Sequence, residues 1–125
     1  VAAIRYISNG TYLTIIKEML EKEVAEELQP LKTRVVEMVK LYEQALEYVK
    51  EAQDQELQDF LARRLYNMTG DIVMSLLILE DATRSAELFS KSANVYVRMA
   101  QAEVTAEHVY IMNFVKEDLP SFRAE

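Results

Sequence analysis

The residue that most invites a chemical reading is His108, the single histidine of the chain, which directly follows Glu107. A di-iron or di-manganese bundle takes a Glu-x-x-His step on each of two helices, with further carboxylates pointing inward. Adjacent residues on a helix do not share a face, so Glu107 and His108 do not form such a pair, and no metal site is expected. A Ser nucleophile needs His108 as its base, but the sequence has no nucleophile elbow and no strand to carry one. Nor is there a Gly-rich phosphate loop. Cysteine is absent, which removes thiolate nucleophiles, disulfides and sulfur-ligated metals. Glu80-Asp81 and Glu117-Asp118 are paired acids that read as solvated helix surface or helix ends. Acid–base work from either pair requires burial that raises a carboxyl pKa. Tyr42, Tyr48, Tyr66, Tyr96 and Tyr110 fall at helical positions and are expected in core or interface, with hydroxyls reaching solvent. The six Met are expected to fill gaps, and Arg63, Arg64 and Arg84 to make surface ion pairs. No catalytic residue is assigned.

The elements that carry these residues are helical. Two Gly and two Pro in 125 residues cannot supply the turns of a sandwich or barrel. Apolar residues make up 50% of the chain, enough for a packed core in one domain. The formal charge of −7, with scattered basic residues, argues against nucleic acid and against an anionic membrane surface. No apolar run approaches the roughly 18 residues of a membrane span, and no signal peptide opens the sequence. A cytoplasmic location is the resulting expectation.

Four amphipathic stretches follow one another. From Thr11 to Gln29, Leu13, Ile16, Met19, Leu20 and Val24 recur at three- and four-residue steps, between Gly10 and Pro30 as boundaries. From Pro30 to Ala52 the stripe is Leu31, Val35, Met38, Tyr42, Ala45, Leu46 and Val49. Asp54 is placed to cap a third helix running from Gln55 to Thr83. Its stripe is Leu57, Leu61, Leu65, Met68, Ile72, Ser75, Leu76, Leu79 and Ala82, widened by Phe60, Tyr66, Val73 and Leu77. Gly70 inside it is expected to admit a close neighbour. The fourth helix spans Ala86 to Val115 and ends at Asp118-Leu119-Pro120, with a loose polar tail. Short connections make these helices neighbours in an all-α, antiparallel, up-and-down bundle of about four helices. The third and fourth are apolar over more than one stripe, so part of their surface is expected to face another domain or subunit.

Two segments, taken in order, resemble acyl-CoA dehydrogenases. Ile7-Ser8-Asn9-Gly10-Thr11 and the following Tyr12-Leu13-Thr14-Ile15-Ile16 look like the Ile-Tyr-Glu-Gly-Thr-type turn that opens a helix after the catalytic region in that family. The stretch from Leu61 to Leu119 resembles the added C-terminal helical domain of its longer bacterial members, through Arg63-Arg64-Leu65-Tyr66, Leu76 to Ala82, Tyr96-Val97-Arg98-Met99-Ala100 and Glu117-Asp118-Leu119. The resemblance implies that residues 1–10 are the remnant of a preceding flavoenzyme domain and residues 11–125 the bundle. It implies a full-length oxidoreductase of fatty acid metabolism that desaturates acyl-CoA thioesters between carbons 2 and 3 with FAD. Gly10 and Thr11 would then be the residues nearest the flavin in the full-length context. Asn9 stands where the family often carries its catalytic Glu, and Asn has no titrating group. Either the register of the match differs, or the base comes from elsewhere, or this member is catalytically altered.

On this reading the chain alone binds no cofactor and is not an enzyme, because a flavin and acyl-CoA site needs a cavity built by several domains. Its partners are the rest of the parent enzyme, a second copy in a homo-oligomer, or an electron-transfer protein. The alternative reading is a free-standing helical interaction module that buries a partner helix with its surplus apolar face.

Overall fold

The computed structural model describes residues 10–122; Asn9 and the segment before it lie outside the described residues. Four main helices form: α1 (Thr11–Leu20), α2 (Gln29–Glu51), α3 (Gln55–Arg84) and α4 (Ala86–Met112). Short 3-10 turns follow α1 at Glu26–Leu28 and α4 at Lys116–Phe122. No strand occurs among the described residues.

Side-chain pairs fix the helix directions. Gln44 meets His108 and Tyr48 meets Phe114, so residue numbers rise together on α2 and α4. Arg64 meets Glu107, and Ile78 shares a surface with Lys91 and Val95, so α3 runs opposite to α4. Tyr12 lies against Tyr66 and Lys22 against Glu80, which sets the α1 segment alongside α3. The result is the expected up-down-up-down order.

Each helix buries the stripe its spacing marks. On α2, Val35, Met38, Tyr42 and Ala45 are wholly buried, as are Leu61, Met68, Ile72 and Leu79 on α3. From α4 the wholly buried residues are Ala93, Val97, Ala100, Val104 and Ile111. Two alanines among five let α4 lie close against its neighbours, since small side chains at a contact shorten the distance between helix axes. Ser75 is buried inside the stripe because its hydroxyl donates to the Asp71 carbonyl one turn back at 2.8 Å. The α2–α3 break is sharp. Gln53 adopts a left-handed φ of 49°, and the Asp54 carboxylate accepts the Leu57 N–H at 2.9 Å as the N-cap of α3.

Three expectations are corrected. The first helix stops at Leu20 instead of continuing to Gln29. Pro30 already sits in the first turn of α2, so a helix reaching Gln29 would leave no residues for the reversal. Residues 21–25 make that reversal instead. They are held by the Ala25 N–H donating to the Thr83 hydroxyl at 3.2 Å and by Lys32 Nζ donating to the Lys22 carbonyl at 3.0 Å. The turn lets Leu28 drop into the core. The fourth helix ends at Met112, where the Asn113 side chain donates to the Val109 carbonyl at 2.7 Å. Beyond it Phe114 and Leu119 are both buried in the core cluster, so the chain up to Leu119 closes one end of the bundle. Gly70, finally, admits no close neighbour: a Cβ there would meet nothing within 4 Å.

Candidate functional site

Gly70 opens onto a concave surface between α3 and α4. On one side α3 presents Arg63, Arg64, Tyr66, Asn67, Asp71 and Met74. Opposite, α4 presents Tyr96, Glu103 and Glu107, and together they wall an open groove of about 780 Å³. The antiparallel register makes it: residues about equally far before and after the turn at Ser85 come level with each other.

One end of the groove is tied. The Arg64 guanidinium donates to Glu107 Oε1 at 2.7 Å and lies 3.5 Å above the Tyr110 ring. That combines a charge-assisted hydrogen bond with a cation–π contact. Asn67 reaches the other Glu107 oxygen at 3.5 Å. The middle is electrostatically unbalanced. Partial burial first, then a hydrogen bond and the like charge of Glu103, with Glu107 adding to it, raise the Asp71 carboxyl to about 7. Burial, followed by the charges of Asp71 and Glu103, also pushes the Tyr96 phenol up from its ordinary value. Arg63 and Arg64 line the same groove, so carboxylates and guanidinium groups share it. The groove is wide and open to water, and among its lining residues no nucleophile is aligned on a base.

Of the residues singled out in the sequence, Arg63, Arg64, Tyr66, Tyr96 and Glu107 line the groove, and the others fall elsewhere. His108 is half-buried on another face, its Nε2 2.9 Å from Gln44 Oε1. The acid pair Glu80-Asp81 is spent on ion pairs with Lys22 and Arg84, and Asp118 caps its own turn by accepting the Val115 N–H at 3.1 Å. Gly10 is the left-handed residue (φ 73°) that starts α1, where its carbonyl accepts both the N–H and the hydroxyl of Thr14 at 3.0 Å. Thr11 is exposed beside it, and neither lines the groove. Of the tyrosines, Tyr42 departs from expectation: its hydroxyl is fully buried and does not reach solvent. Among the described residues no group of three His, Asp or Glu is placed to hold a metal ion, and no helix is long and apolar enough to cross a membrane. The Asp71–Glu103 pair was missed in the sequence. Chain spacing gives no sharp signal for it, since Asp71 lies 14 residues before Ser85 and Glu103 lies 18 after it.

Residues 8–119 match the model of the family described as "Acyl-CoA dehydrogenase C terminal". The chain belongs to that family. An acyl-CoA dehydrogenase family protein from Porphyromonas gingivalis, solved by crystallography, is similar to it at 41% identity with a TM-score of 0.86. That similarity covers 92% of this chain and 99% of the other. No curated protein matches. The match begins at Ser8, so the Gly10-Thr11 turn falls inside the acyl-CoA dehydrogenase C-terminal domain, as do α1 to α4 and the buried Leu119.

Proposed function

We propose that this chain is the C-terminal helical domain of an FAD-dependent enzyme that desaturates acyl-CoA thioesters at carbons 2 and 3, and that it does no chemistry by itself. Its work is packing: against the other domains of its parent, against a second copy, or against an electron-transfer partner. The observation that carries the reading is the family match over residues 8–119. The surface supports it. Tyr66, Met74, Leu77, Val95 and Met99 form an exposed apolar band on α3 and α4 that a self-contained bundle has no need to display. The groove between α3 and α4 is open to water, unlike the enclosed cavity a flavin requires.

The test compares two proteins. One is this chain; the other is the longer product obtained by extending the reading frame upstream of Val1. The longer product is expected to purify with bound FAD and to reduce an artificial electron acceptor with an acyl-CoA, while the chain does neither. A longer product that carries no flavin would overturn the proposal and favour a free-standing interaction module.

A further inference from the structure

Beyond Met112 the chain is tied to α4, to α3, to α2 and to the turn between α2 and α3, each by a different contact. The Phe114 ring stacks on Phe60 of α3 at 5.0 Å and on Tyr110 of α4 at 5.7 Å. Its carbonyl accepts the Tyr48 hydroxyl of α2. Lys116 Nζ lies 3.2 Å from Asp54 Oδ2, while the other oxygen of that carboxylate caps α3 through the Leu57 N–H. Asp118 accepts the Val115 N–H, and Leu119 is 2% exposed. Residues 113–119 thus form a strap with two buried anchors, Phe114 and Leu119. Between the anchors it fits loosely. Val115 and Lys116 are exposed and border a hollow of about 410 Å³, which Tyr48, Gln53, Asp54 and Leu57 line from the other side. A segment held by two side chains and an exposed ammonium opens more readily than helices buried along whole stripes.

The strap and the groove meet at Tyr110. On the strap side the ring stacks with Phe114; on the groove side the Arg64 guanidinium lies 3.5 Å over it and holds Glu107 at 2.7 Å. Phe60 also belongs to both, stacking on Phe114 and lining the groove. We infer that the strap is a conformational latch on the groove, transmitted from Phe114 through Tyr110 and Arg64 to Glu107. With the strap seated, Phe114 fixes the Tyr110 ring, and a fixed ring is a platform on which the guanidinium loses less freedom as it pairs with Glu107. With the strap lifted, Tyr110 swings free, Arg64 leaves Glu107, and the tied end of the groove opens. The linkage is reciprocal, so weakening the Arg64–Glu107 pair loosens the strap by the same factor. The state of the groove thereby depends on how the end of the chain is held. The inference makes no use of flavin or acyl-CoA, so it stands or fails apart from the function proposed above.

The sequence has no cysteine, so the thiol of Leu119→Cys reports strap opening through its rate of reaction with a thiol reagent. That rate is expected to exceed the rate of global unfolding, measured on the same variant by denaturant jump. Phe114→Leu, which keeps an apolar anchor but removes the stacked ring, and Lys116→Glu are each expected to raise it by about threefold or more. The deciding variant is Glu107→Gln, on the groove side of Tyr110. It is expected to raise the labelling rate by about threefold, relative to global unfolding, with helix content unchanged by circular dichroism. In a Tyr110→Leu background the same change is expected to have no effect. Labelling that proceeds only at the rate of global unfolding would overturn the strap. A labelling rate indifferent to Glu107→Gln, or a response that survives Tyr110→Leu, would overturn its coupling to the groove. Should Leu119→Cys fail to fold, hydrogen exchange at the Val115 and Asp118 N–H groups, bonded within the strap at 3.1 and 2.9 Å, reads the same opening with and without Glu107→Gln.

Discussion

Asp71 is the residue whose chemistry departs furthest from its type. Its carboxyl titrates near 7 instead of its ordinary 3.8, because water is partly withdrawn and because Glu103 and Glu107 on α4 face it. The neighbouring Tyr96 brings no charge, and Arg64 is committed to Glu107. The folded chain therefore holds the Asp71 proton across a range where the unfolded chain has lost it. Stability linked to this group is fullest below about pH 4, falls as pH rises toward 7, and then levels off. Asp71→Asn is expected to flatten that slope and to stabilise the fold at pH 8, as urea denaturation at several pH values will read. Tyr42 presents a different cost. Its hydroxyl is buried without a hydrogen bond, while the neighbouring Thr69 hydroxyl donates to the Leu65 carbonyl at 3.1 Å. Removing an unsatisfied buried group relieves its desolvation penalty, so Tyr42→Phe should be neutral or stabilising by up to about 1 kcal/mol. A loss larger than that in thermal denaturation would mean the hydroxyl has a partner.

At the scale of elements, the buried stripes of α2 and α3 were legible because a helix in contact with a core repeats its apolar positions at three and four residues. Every residue assigned to those two stripes is buried. The stops were less legible. Leu20 and Gln29 carry no propensity difference that separates helix from reversal; Pro30 needs the reversal before it, and Lys32 nearby and Thr83 far along the chain hold residues 21–25 in place. Two apolar residues of α4 stand outside its buried face. Leu88 and Val109 have the right residue type but stand 74% and 55% exposed, since the helix rotates them past the edge of its contact with α2 and α3. Gly70 is a weak point of α3 with no packing reason behind it. Gly70→Ala is expected to raise stability by about 1 kcal/mol, the difference in helix propensity, with no rearrangement because the new methyl meets open space. A destabilised Gly70→Ala variant in denaturant titration would show that something approaches this backbone.

For the whole molecule, the scarcity of Gly and Pro together with four stretches of helical apolar spacing predicted an all-α bundle, and the helix directions follow from the short connections between α2, α3 and α4. The groove was not legible in this way. It arises where two helices that share a core diverge in the side chains they present outward, and those chains are charged residues whose partners are set by the α3–α4 register. Family membership was legible from ordered weak motifs, which gain weight only in sequence. We propose that the chemistry belongs to a longer protein of which this chain is one domain. Calorimetric titration of the purified chain with FAD, and separately with an acyl-CoA, tests this most directly: the account predicts no saturable heat from either ligand, and stoichiometric binding of FAD by the chain alone would contradict it.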